Sequence, residues 1–202
     1  MSDGLYFNET DHVYFWNGRP VPNVTSVLKP LTRYDMIAPE VLEVARQKGV
    51  AVHRMVELDC KDDLNEDLPE WMLPVLVEWR KFKRETGFMM VESEKRVYHP
   101  TYKYAGTLDL FGELTHADCF AFIDVKRSFM AGKAIGMQIA AYQYAYMFNG
   151  AVAEMKVARK ARRFALRLRE DTPYRMQEYE DKGDFQDFLT CLDFKRLQER
   201  MK

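Results

Sequence analysis

Several absences narrow the field. The 202-residue chain holds three cysteines, Cys60, Cys119 and Cys191, widely separated and with no CxxC pair. That spacing offers no zinc or iron–sulfur framework. An odd count without a secretory leader points to a reducing compartment. The opening Met1-Ser2-Asp3-Gly4 has no basic region followed by an apolar one, and no apolar run approaches a membrane span. With 30 Lys and Arg against 31 Asp and Glu, the net charge is -1. A broadly basic nucleic-acid-binding surface is thereby excluded, and any such contact must come from a local patch. No Walker motif, internal repeat or low-complexity tract is present. A hydrophobic fraction of 47% and a charged fraction of 30% leave an ordinary globular chain with a sizeable core.

Residues 5–16 alternate aromatic and polar positions up to Asn17-Gly18, a strong hairpin turn signal. Residues 5–24 therefore read as a small β-ribbon, so that residues 1–30 form a hairpin appendage and residues 31–202 one main domain. A helix is expected from Pro39 to about Cys60, with Val41, Leu42, Ala45, Val52 and Val56 at roughly helical spacing and Gly49 marking a kink or close packing. Asp59 to Glu70 reads as an acidic loop. A second helix opens at Pro69 and stops at Thr86-Gly87. Strands are expected near 88–98, 103–112 and 119–126, then a helix over 133–148, a strand with alternating Phe164, Leu166 and Leu168, another near 174–179, and a last helix capped by Asp184. That order predicts an α/β fold, a mixed sheet with helices on its faces.

The chemistry concentrates in two strands and the helix after them. Gly106-Thr107-Leu108-Asp109 is followed by Asp124-Val125-Lys126, then by Gln138 and Tyr142. Asp124 and Lys126 are two apart, so on a strand they share a face. Two carboxylates and a lysine converging at a sheet end suit a hard divalent cation and the water it activates. Gln138 and Tyr142 lie one helical turn apart.

GTLD, DVK and QxxxY in this order, with Gly49-Val50-Ala51-Val52-His53 upstream as GxxxH, resemble the PD-(D/E)xK nuclease superfamily in its RecB-like exonuclease branch, of phage and mitochondrial type. The resemblance covers most of residues 20–195. It implies a restriction-endonuclease-like core and a Mg²⁺- or Mn²⁺-dependent deoxyribonuclease acting on DNA ends or single strands. Asp109, Asp124, His53 and the Val125 backbone carbonyl would be metal ligands. Lys126 would position or deprotonate the attacking water or stabilise developing charge, and Gln138 and Tyr142 would frame the site. Glu57, one turn after His53, is a candidate to orient the imidazole, and Glu92 or Glu94 could approach the metals. Iron–sulfur members carry an upstream cysteine and a C-terminal cysteine cluster. Neither is found here, so no such cluster is expected, and no nucleotide either. A helicase, recombinase or single-strand-binding protein would be a separate partner, and the setting expected is the cytoplasm of a bacterial or phage-infected cell, with no membrane.

Each residue also has an ordinary structural explanation. His53 on an amphipathic helix fits a core histidine, Asp124 and Lys126 a strand-end ion pair, Asp109 a turn carboxylate, Tyr142 a core aromatic. Glu57, Glu92 and Glu94 fit solvated surface charges. The basic run from Lys156 to Arg169 places Arg163, Arg167 and Arg169 on one strand face, either a solvated face or, with Lys133, a phosphate-tracking stripe. Tyr102, Tyr104 and Phe129 could stack on bases or pack. An endonuclease, a partner-dependent nuclease subunit, a non-catalytic binding module and an α/β domain with an unrelated ligand remain as competing functions.

Overall fold

The structure, a computed structural model, describes residues 4–32, 37–128, 132–148 and 152–201. Strands β1 (Leu5–Asn8), β2 (Val13–Trp16) and β3 (Arg19–Val21) form a small antiparallel sheet. Asn17 and Gly18 turn β2 into β3 with φ of 49° and 75°, the left-handed pair that a tight hairpin requires. The segment after the turn is itself a third strand, and its Pro20 is tolerated because β3 is an edge. Trp16 stacks on Tyr98 at 4.2 Å, and Ala105 N–H donates to the Pro22 carbonyl at 2.9 Å, fastening this sheet to the main one.

The main sheet has five strands in the order β4 (Phe88–His99), β5 (Tyr104–Leu114), β6 (Cys119–Lys126), β7 (Arg162–Arg167) and β8 (Arg175–Glu178). Only β6 and β7 run parallel; the other pairs are antiparallel. Alternation along β6 and β7 divides the core between two faces. Phe122 and Ala165 face α1 (Val24–Leu28), α4 (Lys133–Tyr146) and α6 (Asp184–Arg200), through Val27, Ile135, Ile139 and Phe188. Ile123, Val125, Phe164 and Leu166 face α2 (Pro39–Cys60) and α3 (Leu73–Thr86), through Val52, Val56, Val75, Trp79 and Phe82. The chain is thus α/β, a mixed sheet flanked by helices with an N-terminal antiparallel sheet. No helix among the described residues is long and apolar enough to cross a membrane.

Several further details differ from the sequence reading. A helix, α5 (Val152–Lys160), precedes β7 where only a basic run was visible; Ala158 on it is buried in the α4 core. The helix α2 runs through Gly49 without a break, and a Cβ there would meet nothing within 4 Å. Its last turn holds Asp59, which is buried and accepts from Trp79 Nε1 at 2.8 Å and Arg80 Nε at 2.9 Å rather than opening a loop. Asp184 is the first residue of α6 and not its cap. Gly183 stands before it, and the Asp184 carboxylate is buried in ion pairs described below. In α2, moreover, Val52 and Val56 are buried, but Val41 is 60% exposed and Val44 56%. The first half of the helix has periodicity and no core to bury it.

Candidate metal centre

β5 and β6 pair from Leu114↔Cys119 to Leu110↔Ile123. Beyond that point the ladder ends, and Asp109 Oδ2 accepts the Val125 N–H at 2.7 Å. A side chain has replaced a ladder carbonyl, so the strands part and leave Asp109, Asp124 and the Val125 carbonyl at one notch. On the other side of β5, Ser93 pairs with Leu110 and Lys95 with Leu108. Glu94, between them, has φ of 47°. A non-glycine residue seldom adopts that region, and such strain tends to gather at functional sites. Here it carries the Glu94 carboxylate to His53.

His53 reaches the notch from α2. Its Nε2 lies 2.9 Å from the Val125 carbonyl, and its Nδ1 lies 3.2 Å from Glu94 Oε1 and 3.6 Å from Asp109 Oδ1. Donor atoms of His53, Glu94 and Asp109 all lie within 4.8 Å of one another. Burial opposes charge on the imidazole, but Asp109 and Glu94 outweigh it and lift its pKa to about 9. Asp124 is buried, with Lys126 Nζ 2.8 Å from its Oδ2 and no hydrogen-bond partner for Oδ1 among the described residues. Burial pushes its carboxyl up to about 6 against the pull of Lys126, and burial likewise raises Asp109 against His53 and Lys126. Two buried carboxyls that resist ionisation, one with an unpartnered oxygen, are a donor set short of positive charge.

Gln138 Nε2 donates to the Tyr142 hydroxyl at 3.1 Å on the neighbouring helix α4. Burial and the two nearby aspartates hold that phenol well above its usual range. The Tyr142 ring lies against Gly106, where a Cβ would come within 2.5 Å of its Cε1. The glycine of GTLD is therefore required by a close approach. Beside it, Thr107 Oγ1 and the Tyr14 hydroxyl are 2.7 Å apart, which brings the N-terminal sheet to the rim of the site.

The structure brings the donor atoms of His53 and Asp109 together with Glu94, and leaves Asp124, which carries Lys126, outside that cluster of donor atoms though near enough to Asp109, His53 and Tyr142 to act on them electrostatically; Gln138 is bonded to Tyr142. It gives Glu57 different neighbours: its carboxylate pairs with Arg54 and Lys61, each at 2.6 Å, and the carboxylate on His53 is Glu94. The local helix charges at positions -3 and +4 explain the diversion. Glu92 pairs with Lys95 at 2.9 Å. Glu94 was legible only as one of two nearby acids, since its approach depends on a backbone conformation that no sequence pattern signals.

The basic residues disperse. Lys133 pairs with Asp181, with Asp184 at 2.9 Å and with Asp187 at 3.1 Å. Arg163 pairs with Asp184 at 3.1 Å and donates to the Asp181 carbonyl at 2.7 Å. Arg169 pairs with Asp171 at 2.7 Å. Arg167 is half-buried opposite Lys126 in the β6–β7 register. Tyr104 is a core residue whose hydroxyl donates to the Ala141 carbonyl at 2.8 Å, and Tyr102 packs edge-on against Phe185. Phe129 lies outside the described residues.

Two cavities flank the notch. One of about 900 Å³ is lined by His53, Arg54, Glu57, Glu94 and Arg96, and one of about 540 Å³ reaches Lys126 and Gln138; Val50 borders both. No family model matches this chain, and none of the curated proteins matches it.

Proposed function

We propose that the chain is a metal-dependent deoxyribonuclease of the PD-(D/E)xK superfamily, RecB-like branch, hydrolysing phosphodiester bonds at DNA ends or in single strands during recombination, repair or replication processing. The observation that carries this is the notch itself: two buried carboxyls with raised pKa, one oxygen unpartnered, a lysine on the second, and a histidine and a carbonyl facing the first. Oxygen donors with one imidazole suit Mg²⁺ or Mn²⁺. Asp109, Asp124, His53 and the Val125 carbonyl would hold the ion, and Glu94 lies close enough to join them or to orient the imidazole. When bound, such an ion polarises a phosphate and acidifies a water.

The chain's own groups supply the rest. Lys126, on Asp124, sits where its ammonium can hold the attacking water or meet the charge that grows on phosphorus. Gln138 donates to the Tyr142 hydroxyl and itself lines the cavity that reaches Lys126, while Tyr142 stays buried beneath it. Gly106 lets Tyr142 close on β5, and Tyr14 ties the N-terminal sheet to Thr107.

The test is cleavage of end-labelled linear DNA and covalently closed circular DNA in Mg²⁺, Mn²⁺ or chelator, with Asp124→Ala and Lys126→Ala alongside. The expected result is metal-dependent loss of linear DNA only, abolished in both variants while their unfolding curves stay cooperative. Cutting of circles makes the enzyme an endonuclease. Full activity in either variant refutes the site.

A further inference from the structure

Another cavity, of about 690 Å³, lies away from the notch, between the ends of α4 and α5 and the start of α6. It opens where β7 begins. β6 and β7 pair in parallel, Ala121 with Arg162 and Lys126 with Arg167. At about 3.3 Å per residue, the cavity therefore stands roughly 16 Å from the notch end of these strands. It shares no lining residue with the two cavities at the notch.

Its lining sets an open aromatic face beside unneutralised positive charge. The Tyr144 and Phe185 rings are parallel, with centroids 3.8 Å apart and planes 4° apart. Phe185 also meets His99, Tyr102 and Phe188. Tyr144 meets no other ring among the described residues and is 39% exposed, so one of its faces is covered and the other open. Arg159, Lys160 and Lys182 line the same cavity and have no carboxylate partner among the described residues. That sets them apart from their neighbours Arg162, which Glu178 holds, and Arg163, which Asp184 holds. Glu180 is the remaining acid of the lining. Three cations that could have been paired, as most others in this chain are, converge on one hollow.

A planar ring gains by stacking on an open aromatic face. Three cations against one acid leave an excess positive charge of about two, close to what a phosphate monoester carries at pH 7. Small-ligand sites span about 300–1,000 Å³, so the volume suits one such molecule. We infer that this cavity is a binding site for a free nucleoside monophosphate, with the base on Tyr144 and the phosphate among Arg159, Lys160 and Lys182. The site is separate from the notch, and the inference does not depend on the nuclease reading. It also gives the basic run before β7 a use at its α5 end, since Arg163 and Arg169 further along are taken up by ion pairs.

The test is calorimetric titration of 2′-deoxyadenosine 5′-monophosphate into the full chain in chelator. Deoxyadenosine, inorganic phosphate and an oligothymidylate of about ten nucleotides, within the usual single-strand site size, are the comparison probes. Tyr144→Leu and Lys182→Ala alter exposed side chains, and their melting curves check the fold; Asp124→Ala alters the notch instead. Saturable binding of the monophosphate is expected, weakened about tenfold by Tyr144→Leu, the loss of one stacked base. Lys182→Ala should weaken it as well, and Asp124→Ala should leave it unchanged. Deoxyadenosine and phosphate should each bind at least about tenfold more weakly than the monophosphate, since each makes half of the contacts. No saturable binding overturns the inference. So does phosphate binding as tightly as the monophosphate, which would make the hollow a bare anion patch. Binding lost in Asp124→Ala but indifferent to Tyr144→Leu and Lys182→Ala, both natively folded, places the ligand at the notch and overturns it too. Displacement of the monophosphate by the oligothymidylate at lower concentration makes the occupant a strand and likewise overturns it.

Discussion

Arg163→Ala separates two roles for one arginine. Its guanidinium lies 3.1 Å from Asp184 Oδ2 and donates to two backbone carbonyls, Asp181 at 2.7 Å and Gly136 at 3.4 Å. The side chains are 11% exposed for Arg163 and 1% for Asp184, so solvent screens the pair weakly. Removing one partner of a buried pair costs about 3–5 kcal/mol. Lys133 would remain 2.9 Å from Asp184, which places the expected loss near the lower end, about 3 kcal/mol. For a domain of this size, about 2–4 °C of Tm accompanies each kcal/mol, so Tm should fall by roughly 6–12 °C. The assay is thermal unfolding by circular dichroism, paired with the salt dependence of DNA binding at a temperature where both proteins are folded. An unchanged Tm with a salt slope reduced by about one would refute this reasoning and make Arg163 a phosphate contact.

Gly106→Ala drives a Cβ to 2.5 Å from Tyr142 Cε1, and overpacking of that kind costs about 1–3 kcal/mol; cleavage should fall with Tm, and a wild-type Tm would show that the ring yields freely. In chelator, the His53 imidazole should titrate near 9 by NMR, and Glu94→Gln should lower that midpoint. Because its folded pKa is raised, its pairing stabilises the fold fully below the ordinary histidine range and is lost as pH rises through about 9; a midpoint near the unperturbed value would remove the two carboxylates as its partners. Glu170 accepts from Arg127 at 2.5 Å and Lys48 at 3.0 Å, and although burial works against it these bonds hold its carboxyl down at about 2. Its folded pKa is depressed, so its contribution is present above the ordinary glutamate value of 4.5 and is lost as pH falls towards 2. The stability gap between wild type and Glu170→Gln should close across that window, and a gap that persists unchanged at its acid end would contradict the assignment.

The strand meander and the residues at its ends were readable because alternation and short motifs are local. β5 and β6 lie where apolar and polar residues alternate, and Asp109, Asp124 and Lys126 fall at the point where their ladder ends. The rest depended on tertiary facts. Parity correctly placed Arg163 opposite Phe164, but its partner Asp184 comes from a helix 21 residues later in the sequence, where the aspartate looked like a cap. The helix α5 was hidden because its basic residues dominate the pattern while its buried contribution is small, Ala158 among them. Periodicity in α2 was real, yet periodicity marks a face without saying what covers it, and the first half of that face is exposed. Glu94 needed a left-handed residue inside a strand, which the sequence does not announce.

The central claim is that Asp109, Asp124, His53 and the Val125 carbonyl hold a divalent cation. Titration of Mn²⁺ into the metal-stripped protein, followed by calorimetry, tests it most directly, with Asp109→Ala and Asp124→Ala beside the wild type. Saturable binding by the wild type that is lost or strongly weakened in both variants, each still folded, is the expected result. No binding by the wild type, or binding that survives both substitutions, would contradict the claim.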